Sequence, residues 1–217
     1  MAHKILLADD HAIVREGLRS LILKVNSLEV IGEAGDGIEA IKMAKEIKPD
    51  LIIMDILMPN LNGIEATKQI KKQNPQIKVI IVSAHSTRKF VSEAIKAGAN
   101  GYVPKECCFE ELKKAINVVR ENKNYISPEI ASILISDYIE HSTYDSGLGI
   151  STLNNRQRQV LQMLAEGKTT KEIADILNLS SKTVDAIRRH IMEKLDLHSV
   201  AELTKYAVNE GLTSLEF

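Results

Sequence analysis

The stretch Leu51-Ile52-Ile53-Met54-Asp55-Ile56-Leu57-Met58-Pro59 is an apolar run carrying one acid, Asp55, and closed by a proline. Preceded by Pro49-Asp50, it reads as a strand buried on both faces, the pattern of a parallel sheet's interior. A carboxylate in such a strand is costly unless it lies at the strand's end and has a partner there. Placed at that end, Asp55 would sit on the carboxyl edge of a sheet, where open α/β folds bind ligands. On this segment alone, an acid capping the turn that Pro59 begins is the simpler reading.

Working outward, the same alternation runs through the first half of the chain. Strands are expected at Ile5–Ala8, Val30–Ala34, Leu51–Met54, Val79–Val82 and Gly101–Val103. Helices are expected at Ala12–Val25, Gly37–Ile47, Gly63–Lys72, Thr87–Ala97 and Phe109–Arg120. Strict alternation of this kind gives a five-stranded parallel sheet with helices on both faces. Right-handed crossovers leave few topologies, of which the doubly wound, flavodoxin-like order 2-1-3-4-5 suits this size.

That order brings distant polar residues to one edge. Asp9 and Asp10 follow the first strand, Asp55 ends the third, Ser83 ends the fourth and Lys105 lies just past the fifth. Three carboxylates that close would repel one another and raise their own pKa values unless a cation sat among them. Ligation by oxygen alone suits Mg²⁺, while a lysine and a hydroxyl suit the oxygens of a phosphoryl group. The pattern therefore proposes an aspartate nucleophile, a magnesium ion and two groups that grip a transferred phosphoryl group.

Asp9-Asp10-His11, Met54-Asp55-Ile56-Leu57-Met58-Pro59, Ser83-Ala84 and Ala97-Gly98-Ala99-Asn100-Gly101-Tyr102-Val103-Pro104-Lys105 resemble the receiver domain of two-component response regulators over about residues 1–120. The resemblance implies that Asp55 is the phosphoacceptor and takes its phosphoryl group from a kinase phosphohistidine. It implies that Asp10 and Asp55 ligate Mg²⁺ with the Leu57 backbone carbonyl, Asp9 acting through water. Ser83 would be the hydroxyl switch residue, Tyr102 the aromatic one that moves with it, and Lys105 the partner of the phosphate. Two lookalikes are set aside. Gly32-Glu33-Ala34-Gly35-Asp36-Gly37 lacks the G-x-G-x-x-G spacing and reads as a turn into the next helix. His11 beside two acids is a poor magnesium ligand and reads as a helix-start residue lining the pocket.

Bulk properties agree without naming a partner. The chain has 217 residues, 44% hydrophobic and 26% charged, with a net charge of −1, enough for one large domain or two small ones. Its two cysteines, Cys107 and Cys108, build no disulfide framework and fit a reducing compartment. No signal-peptide layout is visible, and no apolar stretch approaches the ~18 residues of a membrane span. A soluble cytoplasmic protein is expected.

Residues 122–150 are polar and turn-rich around a helical patch at Ile130–Ile139, with Ser127-Pro128 as its start signal. They read as a linker with a short helix between a first domain at 1–121 and a second at 151–217. From Leu153 onward the pattern is helical, with helices at about Arg156–Ala165, Lys171–Leu177, Lys182–Leu195 and Val200–Asn209. Asn154 with Gln157, Thr169 with Glu172 and Ser199 with Glu202 form capping-box patterns, and Ser180 offers a further cap. The tight turn Asn178-Leu179-Ser180 gives helix-turn-helix spacing. Val184, Ile187, Ile191 and Leu195 make the inner stripe of the third of these helices. At ~100° per residue the opposite face carries Lys182, Asp185, Ala186, Arg189 and Glu193, with Arg188 on the flank. The region holds 9 basic and 9 acidic residues, so its net charge alone does not mark a nucleic-acid surface.

Leu153-Asn154-Asn155-Arg156-Gln157, Gly167-Lys168-Thr169-Thr170-Lys171-Glu172-Ile173-Ala174 and Ser181-Lys182-Thr183-Val184 resemble the LuxR-type DNA-binding domain of NarL/FixJ regulators. The resemblance implies that Lys182, Thr183, Asp185, Ala186, Arg188 and Arg189 meet DNA through the recognition helix, and that Lys168, Thr169 and Lys171 approach phosphates. Asn154 and Gln157 stand where Thr and Glu are usual, keeping the capping chemistry. Ile187 replaces a frequent histidine, and Asp185 a frequent lysine, which lowers non-specific phosphate affinity.

Together the two resemblances imply a phosphorylation-controlled transcriptional regulator and no enzyme beyond phosphorylation and dephosphorylation of its own Asp55. The expected partners are a sensor histidine kinase, promoter DNA, a second copy in an active homodimer and RNA polymerase, with no membrane. Phosphorylation would act either by releasing the second domain or by creating a dimer surface. Val200, Leu203 and Ala207 are a candidate dimer contact, with packing inside their own domain as the competing reading. A magnesium-dependent phosphatase would need a general acid near Asp55, and residue 57 is Leu. A second alternative is a regulator that binds DNA without phosphorylation, its receiver serving only as a dimerisation module; the intact acidic pocket argues against it.

Overall fold

The apolar runs become strands of one sheet because they have no polar side to present to water. The computed structural model describes residues 2–107, 109–141 and 153–213, so Cys108 and the turn-rich stretch expected at 142–150 lie outside the described residues. The chain divides into two compact units, the first carrying the sheet and the second the helices from residue 153 onward.

In the first unit β1 (His3–Ala8), β2 (Leu28–Ala34), β3 (Leu51–Met54), β4 (Lys78–Ser83) and β5 (Gly101–Pro104) alternate with five helices. These are α1 (Ala12–Ile22), α2 (Gly37–Ile47), α3 (Gly63–Gln73), α4 (Arg88–Lys96) and α5 (Phe109–Arg120). The strand order is β2-β1-β3-β4-β5, all parallel, as expected. A sixth strand, β6 (Tyr125–Ile126), adds to β5 in parallel and lies within the stretch expected to be linker. Two residues are too few to show a period-two pattern; what recruits them is the unpaired edge of β5. Ser127 N then donates to Tyr102 O at 3.1 Å. The next helix, α6 (Pro128–His141), starts as expected with Ser127 Oγ accepting from Ile130 N.

Every residue of β3 is buried, as a central strand covered on both faces requires. Ile5, Leu7, Leu51, Ile53, Ile80, Val82 and Val103 form one face of the core with Ile22 of α1 and Leu112, Ile116 and Val119 of α5. Full burial of each such side chain is worth ~1.5–3 kcal/mol. The glycine-rich stretch is a helix entry: Asp36 caps α2 by accepting from Glu39 N, and a Cβ on Gly32 would lie 2.5 Å from Met43 Cε.

The second unit holds α7 (Asn155–Ala165), α8 (Thr170–Leu177), α9 (Ser181–Leu195) and α10 (Val200–Asn209). The capping boxes at Asn154, Thr169 and Ser199 all form, and Ser180 caps α9. Asn178 ends α8 at φ 53°, a left-handed position that asparagine tolerates, and so permits the tight turn into α9. Val184 and Ile191 are buried in the inner stripe of α9, while Ile187 and Leu195 are half-buried. Leu203 and Ala207 are both fully buried. That answers the alternative left open for α10: these two residues serve their own unit, and only Val200 of the trio is exposed.

Candidate functional site

Strand register explains why residues far apart in sequence meet. Ala8 pairs with Met54 across β1 and β3, and Ser83 with Pro104 across β4 and β5. Asp9, Asp55 and Lys105 each follow a paired residue. Their backbone nitrogens continue the ladder, Asp9 to Ala34 O, Asp55 to Ala8 O and Lys105 to Ser83 O. The side chains therefore emerge together at the carboxyl edge.

There, a carboxylate oxygen from each of Asp9, Asp10 and Asp55 and a ring nitrogen of His11 lie within 4.8 Å of one another. Lys105 Nζ bridges two of the acids, 2.7 Å from Asp55 Oδ2 and 2.8 Å from Asp9 Oδ2. Asp55 Oδ1 accepts from Ile56 N at 2.7 Å. Burial pushes the Asp55 carboxyl up to about 6, Lys105 opposing the rise and Asp9 adding to it. Lys105 is itself held above the ordinary lysine value because its two carboxylate partners outweigh its partial burial. Three acids facing one lysine leave an excess of negative charge in a site where Asp9 and Asp55 are nearly inaccessible to water. Such a donor set fits a hard divalent cation, and Mg²⁺ in particular. His11 Nδ1 lies 2.8 Å from Asp10 Oδ1 and 3.3 Å from Asp9 Oδ1, so the imidazole lines the pocket as expected for a helix-start residue.

Gly63 sets how closely the loop after Asp55 can fold back. Its nitrogen donates to Ile56 O at 2.7 Å, and a Cβ on it would fall 1.8 Å from Asp55 O. Leu57, whose carbonyl was expected to join the metal ligands, lies within the loop this approach shapes, and Asn62 caps α3 by accepting from Glu65 N.

The two expected switch residues are both engaged by the loop after β4. Ser83 is fully buried and its Oγ accepts from His85 N at 3.1 Å. Tyr102 is buried too, and its hydroxyl donates to His85 O. Burial raises the Tyr102 phenol well above its ordinary value, so it stays protonated as a donor. Both residues thus grip the β4–α4 loop through His85. Two further contacts were not read from the sequence: Arg15 Nη1 donates to Asp9 O at 2.6 Å, and Arg15 and Arg19 both bind Glu33.

On the second unit, Lys182, Ala186 and Arg189 of α9 are exposed on one face, with Lys171 exposed in the first turn of α8. Several other expected DNA contacts are already engaged. Asp185 pairs with Arg188 at 3.4 Å, Lys168 with Glu166 at 2.6 Å, and the Thr169 hydroxyl donates to Glu172 within its capping box. Thr183 Oγ1 shares a hydrogen bond with Ser180 Oγ at 2.8 Å.

The model of the response regulator receiver domain family matches residues 5–117, and that of the bacterial regulatory proteins of the luxR family matches residues 151–207. The chain belongs to the two-component response regulators, in the NarL/FixJ group that joins a receiver to a LuxR-type helix-turn-helix. It is 37% identical over 209 residues to the response regulator GacA of Pseudomonas aeruginosa, covering 96% of this chain and 97% of that one. It is 34% identical to the response regulator UvrY of Escherichia coli, covering 98% and 96%. Among solved structures it is similar to RcsB of Salmonella enterica serovar Typhimurium, bound to promoter P1flhDC in the presence of the phosphomimetic BeF3−. That match has a TM-score of 0.62 and 26% identity, covering 98% of this chain and all of the other.

Proposed function

We propose that Asp55 is the phosphoacceptor of a Mg²⁺-dependent switch that controls promoter binding by the second unit. The observation that carries this reading is the convergence of Asp9, Asp10 and Asp55 within 4.8 Å, bridged by Lys105. Asp10 and Asp55 would hold the metal directly with the Leu57 carbonyl, and Asp9 through water. Bound there, Mg²⁺ would offset the charge of the acids and of the arriving phosphoryl oxygens.

Asp55 would form the new P–O bond as the P–N bond of a sensor kinase's phosphohistidine breaks. Its side chain would then carry added negative charge and acceptor oxygens. Lys105 lies near enough to the Asp55 carboxylate to pair with those oxygens instead. Ser83 would have to give up His85 N to reach them, and Tyr102, held by the same His85, would feel that change. This gives the pocket a two-state element for phosphate to bias.

The output half would act at DNA as a homodimer. Lys182, Ala186 and Arg189 would face the major groove with Thr183, Asp185 and Arg188 beside them, and Lys168, Thr169 and Lys171 would lie along the phosphates. Lys168 and Arg188 would exchange their present acidic partners for DNA. Domain limits of 1–121, 122–150 and 151–217 fit this division of labour, with a cytoplasmic location, a histidine kinase partner and RNA polymerase downstream. No described helix is long and apolar enough to cross a membrane.

The test is intact-mass measurement after incubation with acetyl phosphate. The wild type gains one phosphoryl group with Mg²⁺ and none after chelation, and Asp55→Asn gains none. Undiminished labelling of Asp55→Asn would overturn the assignment.

A further inference from the structure

Arg15 is the fourth residue of α1 and closes its first turn, its backbone nitrogen bonded to His11 O. Helical side chains lean toward the helix N-terminus, so this arginine reaches back over the turn that carries Asp9 and Asp10. Its Nη1 donates to Asp9 O at 2.6 Å. Its Nε donates to Glu33 Oε2 at 3.2 Å, and the other Glu33 oxygen accepts from Arg19 Nε at 2.6 Å. Glu33 is anchored in β2, paired with Leu7 of β1, and its two arginine partners hold its carboxyl below the ordinary range despite partial burial.

The turn is therefore fixed at three atoms. Asp9 N donates to Ala34 O at 3.1 Å, Asp9 Oδ1 accepts from His11 N at 2.9 Å, and Asp9 O is held by Arg15. The third contact orients the peptide plane between Asp9 and Asp10, and so aims the Asp10 side chain. A guanidinium placed on the carboxylates would compete with a cation. Placed on the backbone carbonyl, it fixes the turn and leaves the carboxylate oxygens to the metal. The Arg15 side chain is 18% exposed, so the contact is sheltered enough to persist.

We infer that Arg15, held by Glu33, is a positioning residue that sets the Mg²⁺ affinity of the site by orienting the Asp9–Asp10 turn. The inference rests on the magnesium reading proposed above. Groups that orient metal ligands in this way commonly change metal affinity about 10–100-fold when removed. Lysine can make one of the two contacts but lacks the fork that makes both.

The test is Mg²⁺ titration of the full chain followed by amide NMR shifts, with the acetyl phosphate reaction as a second readout. Arg15→Ala is expected to raise the Mg²⁺ Kd at least ~10-fold, with Arg15→Lys and Glu33→Gln between it and wild type. Phosphorylation rates at saturating Mg²⁺ should stay within about two-fold of wild type, because the reacting carboxylate is untouched. Asp10→Asn serves as the control for the metal reading. If wild type and Asp10→Asn bind Mg²⁺ alike, the magnesium reading falls and this inference with it. If Asp10→Asn loses binding while Arg15→Ala and Arg15→Lys keep the wild-type Kd, the inference alone is overturned. Should Arg15→Ala not fold, Arg15→Lys and Glu33→Gln decide: an unchanged Kd in both refutes it.

Discussion

Asp55→Asn should make the protein more stable in the absence of Mg²⁺. The Asp55 carboxyl is 5% exposed and raised from 3.8 to about 6, chiefly by burial. At ~1.4 kcal/mol per pH unit, keeping it ionised at neutral pH costs on the order of 3 kcal/mol. Asparagine has the same shape without the charge, and Lys105 keeps Asp9 at 2.8 Å as its partner. The sign follows from linkage. Between about 4 and 6 the folded state binds more protons than the unfolded one, so wild-type stability falls as pH rises through that window and levels off above it. The gap between variant and wild type should therefore be full at pH 7.5, amounting to roughly 10 °C in Tm for the first unit, and close toward pH 4. Thermal unfolding followed by circular dichroism in EDTA measures it. Adding Mg²⁺ should raise the wild-type Tm and leave the variant nearly unmoved. A variant no more stable than wild type at pH 7.5, or a gap that persists at pH 4, would refute the reasoning.

The same carboxyl makes metal-dependent phosphorylation sensitive to pH. At low Mg²⁺ the rate should fall as pH drops through about 6, because protonated Asp55 is neither ligand nor nucleophile, while Lys105 stays charged throughout. Gly63→Ala forces a Cβ to within 1.8 Å of Asp55 O unless α3 shifts, so it should cost about 1–3 kcal/mol or more and lower the phosphorylation rate. Urea denaturation and intact mass would show both. Arg189→Ala should weaken promoter binding by about 1–3 kcal/mol with phosphorylation unchanged. An unaltered footprint would place Arg189 off the groove-facing side of α9.

Much of this was legible in the chain because burial leaves a one-dimensional trace. β3 is buried throughout and reads as an unbroken apolar run; α9 has an inner stripe and reads as one. The capping boxes at Asn154, Thr169 and Ser199 are local chemistry, complete within four residues, and all three formed. The acidic edge was legible because parallel strands in a known order put their ends together. What escaped was set by tertiary contact. β6 exists because β5 offers an edge, not because Tyr125-Ile126 announces a strand. The seizure of Tyr102 and Ser83 by the backbone of His85, and of Asp9 O by Arg15, leaves no spacing to read. The face of α10 was ambiguous for a related reason: an apolar stripe does not say whether it covers its own unit or a second copy.

The short strand β6 bears on how such proteins can be recombined. A chimera that joins the first unit to another output at residue 122 would strip β5 of its neighbour and leave an unpaired edge, a template for aggregation. It would also cut the bond between Ser127 N and Tyr102 O. A graft made after α6 keeps both. The usable breakpoint therefore lies later than the end of the alternating pattern, and fusion libraries spanning it should turn from insoluble to well-behaved once the junction passes Ile126.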